Sequence, residues 1–329
     1  MGHAWAEEML RKHIASDRLR HAYLFSGPRG VGRRTLALRF AQAINCPQSL
    51  GSGLPCGTCR VCRQIDAMQH ADLNILQSTQ EGNVLKVEQV RELQHMLALS
   101  PYESPYRVAL LLRFEEANAN AQNALLKTLE EPNPRVVILV TANDPQNLLP
   151  TISSRCEVVR LRPMPLNQLA AELQERQHLP KERADSLAHI AGGRPGYALQ
   201  LASDDNLLQA RIDSLQKLLE LLAATRIERI QYVEAEVKHR ERADAKNDLR
   251  MRLEHWLSFW RDVLLTRMAS SSQLFNPDYL EQLRAISKRV TVAEVTRIVA
   301  DLEHSFARIQ AANLQSMLDN LLLGWPTLR

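Results

Sequence analysis

A short apolar run, Ala22 to Ser26, leads directly into Gly27-Pro-Arg-Gly30-Val-Gly32-Arg33-Arg34-Thr35 and then into a helical pattern. Three glycines between a strand and a helix leave the chain few options. It must turn tightly and present backbone N–H groups at a helix N-terminus, which is how a phosphate loop is built into an α/β sheet. The glycines follow the spacing G-x-x-x-x-G-K-[ST], but Arg33 stands where the lysine belongs and Arg34 where a hydroxyl would hold magnesium. Thr35 comes one residue too late, about 100° around the helix. Arginine cannot ligate a cation, so magnesium has no protein anchor here. The loop therefore reads as a retained turn without nucleotide, the alternative being a loop that still accepts an anion.

The rest of the first half supports such a sheet. Asp72 to Leu76, Arg107 to Leu112, Val136 to Thr141 and Glu157 to Leu161 read as further strands, with helices at Val87 to Leu99 and Ala117 to Glu130. Continuous Val/Leu/Ile runs suit strands covered on both faces. Arg162-Pro-Met-Pro-Leu166 breaks the pattern, and a small helical unit follows, ending in Gly192-Gly193-Arg194-Pro195-Gly196. No glycine lies between Gly196 and Gly324, so the remainder, interrupted by Pro277, reads as helical. Within it Leu253, Trp256, Leu257, Trp260, Val263 and Leu264 mark one buried helix face, and the two tryptophans are expected to be core.

Charge adds a constraint. The 329 residues carry 41 Lys/Arg against 37 Asp/Glu, and the whole excess of four falls in residues 1–165. That excess is too small to define a nucleic-acid binder by itself, so little independent DNA affinity is expected. No stretch is apolar enough to span a membrane and the N-terminus lacks a secretory pattern, so a soluble, cytoplasmic chain is expected. A nucleotide hydrolase with this loop would also need an acidic pair at the end of a later strand. The strand from Val108 runs instead into Leu112-Arg113-Phe114-Glu115-Glu116. Glu115 and Glu116 are expected to open the next helix and complement its dipole.

Four of the five cysteines, Cys46, Cys56, Cys59 and Cys62, are spaced C-x9-C-x2-C-x2-C. This spacing can close a tetrahedral thiolate site, for which structural Zn2+ is the expected ion. An iron–sulfur cluster, unliganded thiols, or His70 in place of Cys46 are the alternatives. Four protein ligands leave no open position for catalysis.

After the fourth strand the sequence reads Thr141-Ala-Asn143, then Ser154-Arg155-Cys156 before the fifth. By residue type alone Arg155 is expected to pair with a local carboxylate such as Glu157. Together, the altered loop, the four-cysteine insertion, Asn123-Ala-Leu-Leu-Lys-Thr-Leu-Glu-Glu-Pro132 and Ser154-Arg155-Cys156 resemble the bacterial clamp-loader AAA+ subunits over about the first 200 residues.

The resemblance implies an α/β P-loop domain of AAA+ type at 1–165 with the zinc module at 46–62. It further implies a helical lid domain at 166–203 and an all-helical C-terminal collar domain at 204–329 that mediates oligomerisation. It makes Arg155 an arginine finger acting in trans on the triphosphate of a neighbouring ATPase subunit. Active relatives have Lys and Thr at Arg33 and Arg34, Asp and Glu at Leu112 and Arg113, and a lid arginine where this chain has Arg194 out of register. The implied subunit binds no ATP or Mg2+ at Gly27, Gly30, Gly32, Arg33 and Arg34, and has no ATPase of its own. Its implied partners, within the DNA polymerase III holoenzyme, are the gamma/tau ATPase subunits and the delta subunit, and through them the sliding clamp and primer-template DNA. The alternatives are an active gamma/tau-like ATPase and a stand-alone zinc-containing nucleic-acid-binding module.

Overall fold

The apolar runs of the first half become one five-stranded sheet in the computed structural model, which describes residues 2–16, 18–49, 52–78, 84–238, 245–270, 272–309 and 313–328. The strands are β1 (Ala22–Ser26), β2 (Leu73–Leu76), β3 (Arg107–Leu111), β4 (Val136–Ala142) and β5 (Glu157–Arg160), in the order β2-β3-β4-β1-β5. All neighbours are parallel, with Leu24 opposite Val140 on one side and Val158 on the other. Flanking helices are α1 (Ala4–Ala15), α2 (Arg33–Asn45), α3 (Arg60–Asp66), α4 (Val87–Leu97), α5 (Ala119–Glu130) and α6 (Pro150–Ser153).

Every residue of β1, β3 and β4 is buried, as a sheet covered on both faces requires. Alternation along each strand decides which layer a side chain enters. Leu24, Leu111, Ile138 and Val140 pack with α4, α5 and α6, whereas Tyr23, Phe25, Leu110 and Leu139 pack with α1, α2 and α3. The strand order reverses at β1, and the loop that follows β1 therefore opens at the carboxyl ends of β1 and β4, where open α/β sheets form their crevice.

The element ends differ from the sequence reading by one or two residues. The helix expected from Ala117 begins at Ala119, because the Asn118 side chain accepts the N–H of Ala121 at 2.8 Å and caps it. Asp72, expected in β2, lies just before it. Its buried carboxylate accepts the backbone N–H groups of Tyr102, Glu103 and Ser104 at 2.6–2.9 Å and faces Arg107 at 3.4 Å.

Burial pushes the Asp72 carboxyl up, but those N–H groups and the Arg107 charge outweigh it and hold it below the usual carboxylate value. A depressed folded-state pKa gives stability that is full above about pH 4, where the unfolded carboxyl is ionised, and lost as pH falls through the folded value. Asp72→Asn is expected to lower stability at pH 7 by roughly 2–4 kcal/mol, with the gap from the parent narrowing on acidification. Urea unfolding at pH 7 and pH 3 tests this; an equal gap at both would assign the loss to something other than the ionised carboxylate.

By contacts the chain divides into two units, Met1–Pro165 with Gly193–Tyr197, and Leu166–Gly192 with Ala198–Arg329. Gly193–Tyr197 thus belong with the sheet although Leu166–Gly192 intervene. Gly196 N–H donates to the Gly30 carbonyl at 2.7 Å and the Gly193 carbonyl accepts from Met164 N–H at 2.7 Å, so the segment is built into the sheet unit.

The helices after Pro165 are α7 (Leu166–Gln177), α8 (Lys181–Ile190), α9 (Pro195–Ser203), α10 (Asp205–Ala223), α11 (Arg226–Lys238), α12 (Ala245–Arg267), α13 (Leu280–Arg289), α14 (Val292–Arg308) and α15 (Leu314–Leu323). On α12, Leu253, Trp256, Trp260 and Val263 are buried in the core, with Leu257 and Leu264 at its margin. Both tryptophans meet Trp325 edge-on, at 5.2 and 5.8 Å between ring centroids, so they are core and not a binding platform. Pro277 opens a short 3-10 turn in the break between α12 and α13. Arg211 holds this break through Asp278 and Asn276, and Asn276 in turn bonds the buried carboxylate of Asp262, all at 2.7–2.9 Å. Among the described residues no helix is long and apolar enough to cross a membrane.

Candidate functional site

The glycine loop keeps the backbone of a phosphate loop. Gly27 (φ +148) donates to the carbonyls of Ala142 and Asn143 at 3.2 and 3.1 Å, and a Cβ there would lie 2.4 Å from the Leu161 carbonyl oxygen. Gly30 (φ +79) lies so close to Tyr197 that a Cβ would meet it at 2.8 Å. Both positions admit only glycine. The Val31 carbonyl is held by His3 Nε2 at 2.8 Å, and Gly32 stands at the N-cap of α2.

The side chains after the glycines change what this backbone can hold. Arg33 is 9% exposed and folds inward, placing Nη1 3.8 Å from Glu115 Oε1. Glu115 also accepts the Asn143 N–H at 3.2 Å. Burial drives the Glu115 carboxyl above its ordinary range, against the pull of the Arg33 charge and the Asn143 N–H. Arg34 and Thr35 point to solvent at the start of α2.

The end of β3 completes this arrangement and corrects one expectation. Glu115 and Glu116 do not open the next helix; they lie in a 3-10 turn, Phe114–Glu116, ahead of the Asn118 cap. Glu115 turns to Arg33, while Glu116 takes Arg113 Nε at 3.0 Å and the Ser78 hydroxyl. Leu112 is buried, and Arg113 adopts a left-handed backbone with its N–H on Thr141 Oγ1 at 2.8 Å. Thr141 and Asn143 therefore serve as local hydrogen-bond partners within the crevice. What faces the loop from β3 is a carboxylate already opposed by an arginine, which the local sequence pattern around Glu115 does not reveal.

The four cysteines of the spaced window come together. Their sulfurs all lie within 4.8 Å of one another, with Cys46–Cys56 at 3.6 Å and Cys46–Cys59 and Cys56–Cys62 at 3.9 Å. Four thiolates on a tetrahedral centre with bonds of about 2.3 Å would be separated by about 3.8 Å. A disulfide needs about 2.05 Å, so these distances fit a shared ion and not a bridge. The backbone assists: Cys59 N–H points at Cys56 Sγ (3.3 Å) and Cys62 N–H at Cys59 Sγ (3.4 Å). The N–H groups of Cys59 and Thr58 bring the Cys56 thiol down to about 6, whereas burial pushes the Cys62 thiol up, so the two thiols lean in opposite directions. Gln42 on α2 donates to the Cys62 carbonyl at 2.7 Å and fixes the module to the sheet unit. His70 is not part of this centre. Its Nδ1 accepts the Asp72 N–H at 3.0 Å, and its Nε2 faces Glu103 at 3.4 Å.

Arg155 follows α6 on the way to β5. Its Nη2 lies 2.7 Å from Glu130 Oε1, and its Nη1 donates to the Thr151 carbonyl at 2.9 Å. The carboxylate partner is thus Glu130, at the end of α5, and not Glu157. Glu157 sits in β5 opposite Tyr23 of β1. The Arg155 side chain remains 35% exposed. Neither of its partners belongs to the glycine loop, so the arginine and the loop are separate sites. Cys156 beside it is buried, and burial raises its thiol to about 12, as for an inert core cysteine.

The family described as DNA polymerase III, delta subunit, matches residues 2–165 of this chain. DNA polymerase III subunit delta' of Bacillus subtilis is 29% identical over 324 residues, covering 96% of this chain and 94% of that protein. The subunit delta' of Pseudomonas aeruginosa is 37% identical over 186 residues, 55% of each chain. DNA polymerase III subunit tau of Escherichia coli is 35% identical over 197 residues, 58% of this chain and 30% of that protein. The likeness to the B. subtilis protein runs almost end to end.

Proposed function

The chain belongs to the delta-prime family of DNA polymerase III clamp-loader subunits, and on that premise we propose that it turns over no ATP itself and supplies Arg155 to the ATP site of a neighbouring subunit. One observation carries the first half of this reading: the buried Arg33 guanidinium lies at the loop against Glu115. A catalytic loop needs a lysine reaching the outer phosphates and an acidic residue free for magnesium and water. Here the loop arginine and the nearest carboxylate face each other, and Arg34 offers no magnesium ligand. The second half rests on residue type and accessibility. A guanidinium is always charged and planar, and it stabilises phosphate oxygens as charge builds in the transition state.

In this reading the partners are the gamma/tau ATPase subunits and the delta subunit, the last helices form the assembly domain, and the complex places the sliding clamp on primer-template DNA. Cys46, Cys56, Cys59 and Cys62 would hold Zn2+, which ties α2 to α3 and, with all four positions taken by protein, does no chemistry.

The purified full chain tests the non-hydrolysing reading and the zinc assignment. Isothermal calorimetry with ATP is expected to show no binding at submillimolar nucleotide, with or without magnesium, and elemental analysis about one zinc per chain. Tight magnesium-dependent ATP binding would overturn the non-hydrolysing reading, and a metal-free, fully folded preparation would overturn the zinc assignment.

A further inference from the structure

Glu130 is the last residue of α5, where the helix macrodipole disfavours a carboxylate. Its partner is not a helix neighbour. Arg155 lies 25 positions further along the chain, and the two meet at 2.7 Å on the surface of the sheet unit. The same guanidinium is held at its other terminal nitrogen by the Thr151 carbonyl, at 2.9 Å.

A guanidinium has five N–H donors fixed in one plane. Two contacts, one on each terminal nitrogen, set the orientation of that plane. The Thr151 hydrogen bond uses one donor and the Glu130 ion pair lies against the other terminal nitrogen, so further donors of the fork remain for a ligand. The side chains of Arg155 and Glu130 are 35% and 51% exposed, so the pair is open to an incoming group. A long side chain that is already ordered loses less freedom when it engages a ligand.

We propose that Glu130 is a positioning residue for Arg155: by ion pairing, together with the Thr151 carbonyl's hydrogen bond, it holds the guanidinium so that its remaining donors meet the neighbouring subunit's phosphate without a search. This rests on reading Arg155 as a finger in trans. Glu130 touches no phosphate, and its effect passes wholly through the arginine. It therefore belongs to the turnover step rather than to the neighbour's affinity for ATP.

The test uses the reconstituted complex and ATP turnover at the site facing Arg155, comparing Glu130→Ala, Glu130→Gln, Arg155→Ala and the Glu130→Ala/Arg155→Ala double variant. Glu130→Ala is expected to lower kcat about threefold to fivefold with KM for ATP within twofold, while Glu130→Gln, which keeps a neutral acceptor at the same reach, recovers part of the loss. The double variant should be no slower than Arg155→Ala, since Glu130 has nothing to position once the arginine is gone. Equal melting temperatures for parent and Glu130→Ala would separate positioning from folding.

Full turnover in Glu130→Ala beside a slow Arg155→Ala would overturn the positioning role and leave the finger standing. Faster turnover or a lowered KM in Glu130→Ala would also overturn it, because the carboxylate would then be withholding the arginine. Full turnover in Arg155→Ala would remove the finger itself.

Discussion

In a reconstituted clamp loader, Arg155→Ala is expected to slow ATP turnover at the facing site by roughly a thousandfold, the lower end of what arginine fingers supply. The reason is that alanine offers no donor and no charge where a planar, permanently charged guanidinium would stabilise phosphate oxygens. Lysine should fail nearly as badly, since it is a point charge without the two-pronged geometry. Stability should hardly change: an ion pair as exposed as Arg155–Glu130 contributes about 0–1 kcal/mol. In an assembly with several ATPase sites the loss is confined to one of them. Bulk steady-state turnover then falls only by that site's share, and single-turnover amplitudes are the sharper measure. Variant rings that assemble normally and keep every phase at the parental rate would remove Arg155 from the reaction.

The second large effect concerns folding. Arg229 is 1% exposed and donates Nε to the Leu221 carbonyl, Nη1 to those of Leu322 and Trp325, and Nη2 to that of Pro326, each at 2.8 Å. Leu221 lies in the last turn of α10 and Leu322 in that of α15. One guanidinium thus serves the carbonyl ends of two helices and the segment after the second, where a positive charge also complements both dipoles. Arg229→Ala leaves three buried carbonyls and the half-buried one of Pro326 short of a donor, and a cavity between them. It is expected to cost about 3–5 kcal/mol, with Arg229→Lys only partly rescuing, since an ammonium has three donors and no plane. Denaturant unfolding of the full chain measures this; a loss under about 1 kcal/mol would mean that water or other donors satisfy those carbonyls.

The legible parts of this molecule are those whose signal is local. Val136 to Ala142 is apolar throughout because both of its faces are covered, and Trp256 and Trp260 repeat at helical spacing because one face of α12 is. The four cysteines are legible because a metal centre needs several soft ligands within a short reach. Glu115 was less so. Its neighbours in sequence suggest a helix start, yet its partner, Arg33, lies 82 positions earlier and is brought to it only by the pairing of β1 with β4 and of β4 with β3. Glu130 has the same character with respect to Arg155. Arg229 carries no sequence signal at all, because its four partners are backbone carbonyls, which every residue possesses.

The pairing of Gly196 N–H with the Gly30 carbonyl also bears on the order in which the molecule can be made. A ribosome that has released the first 165 residues has delivered all five strands but not Gly193–Tyr197, which belong to the same unit. The glycine loop must then wait while α7 and α8 are synthesised before it receives its last hydrogen bond and the packing of Tyr197 against Gly30. This contact spans more of the chain than any strand pairing in the sheet, even that of β1 with β5, and it cannot form until the last of that span has emerged. The phosphate-loop turn is thus among the first structures of the unit to be translated and among the last to be secured.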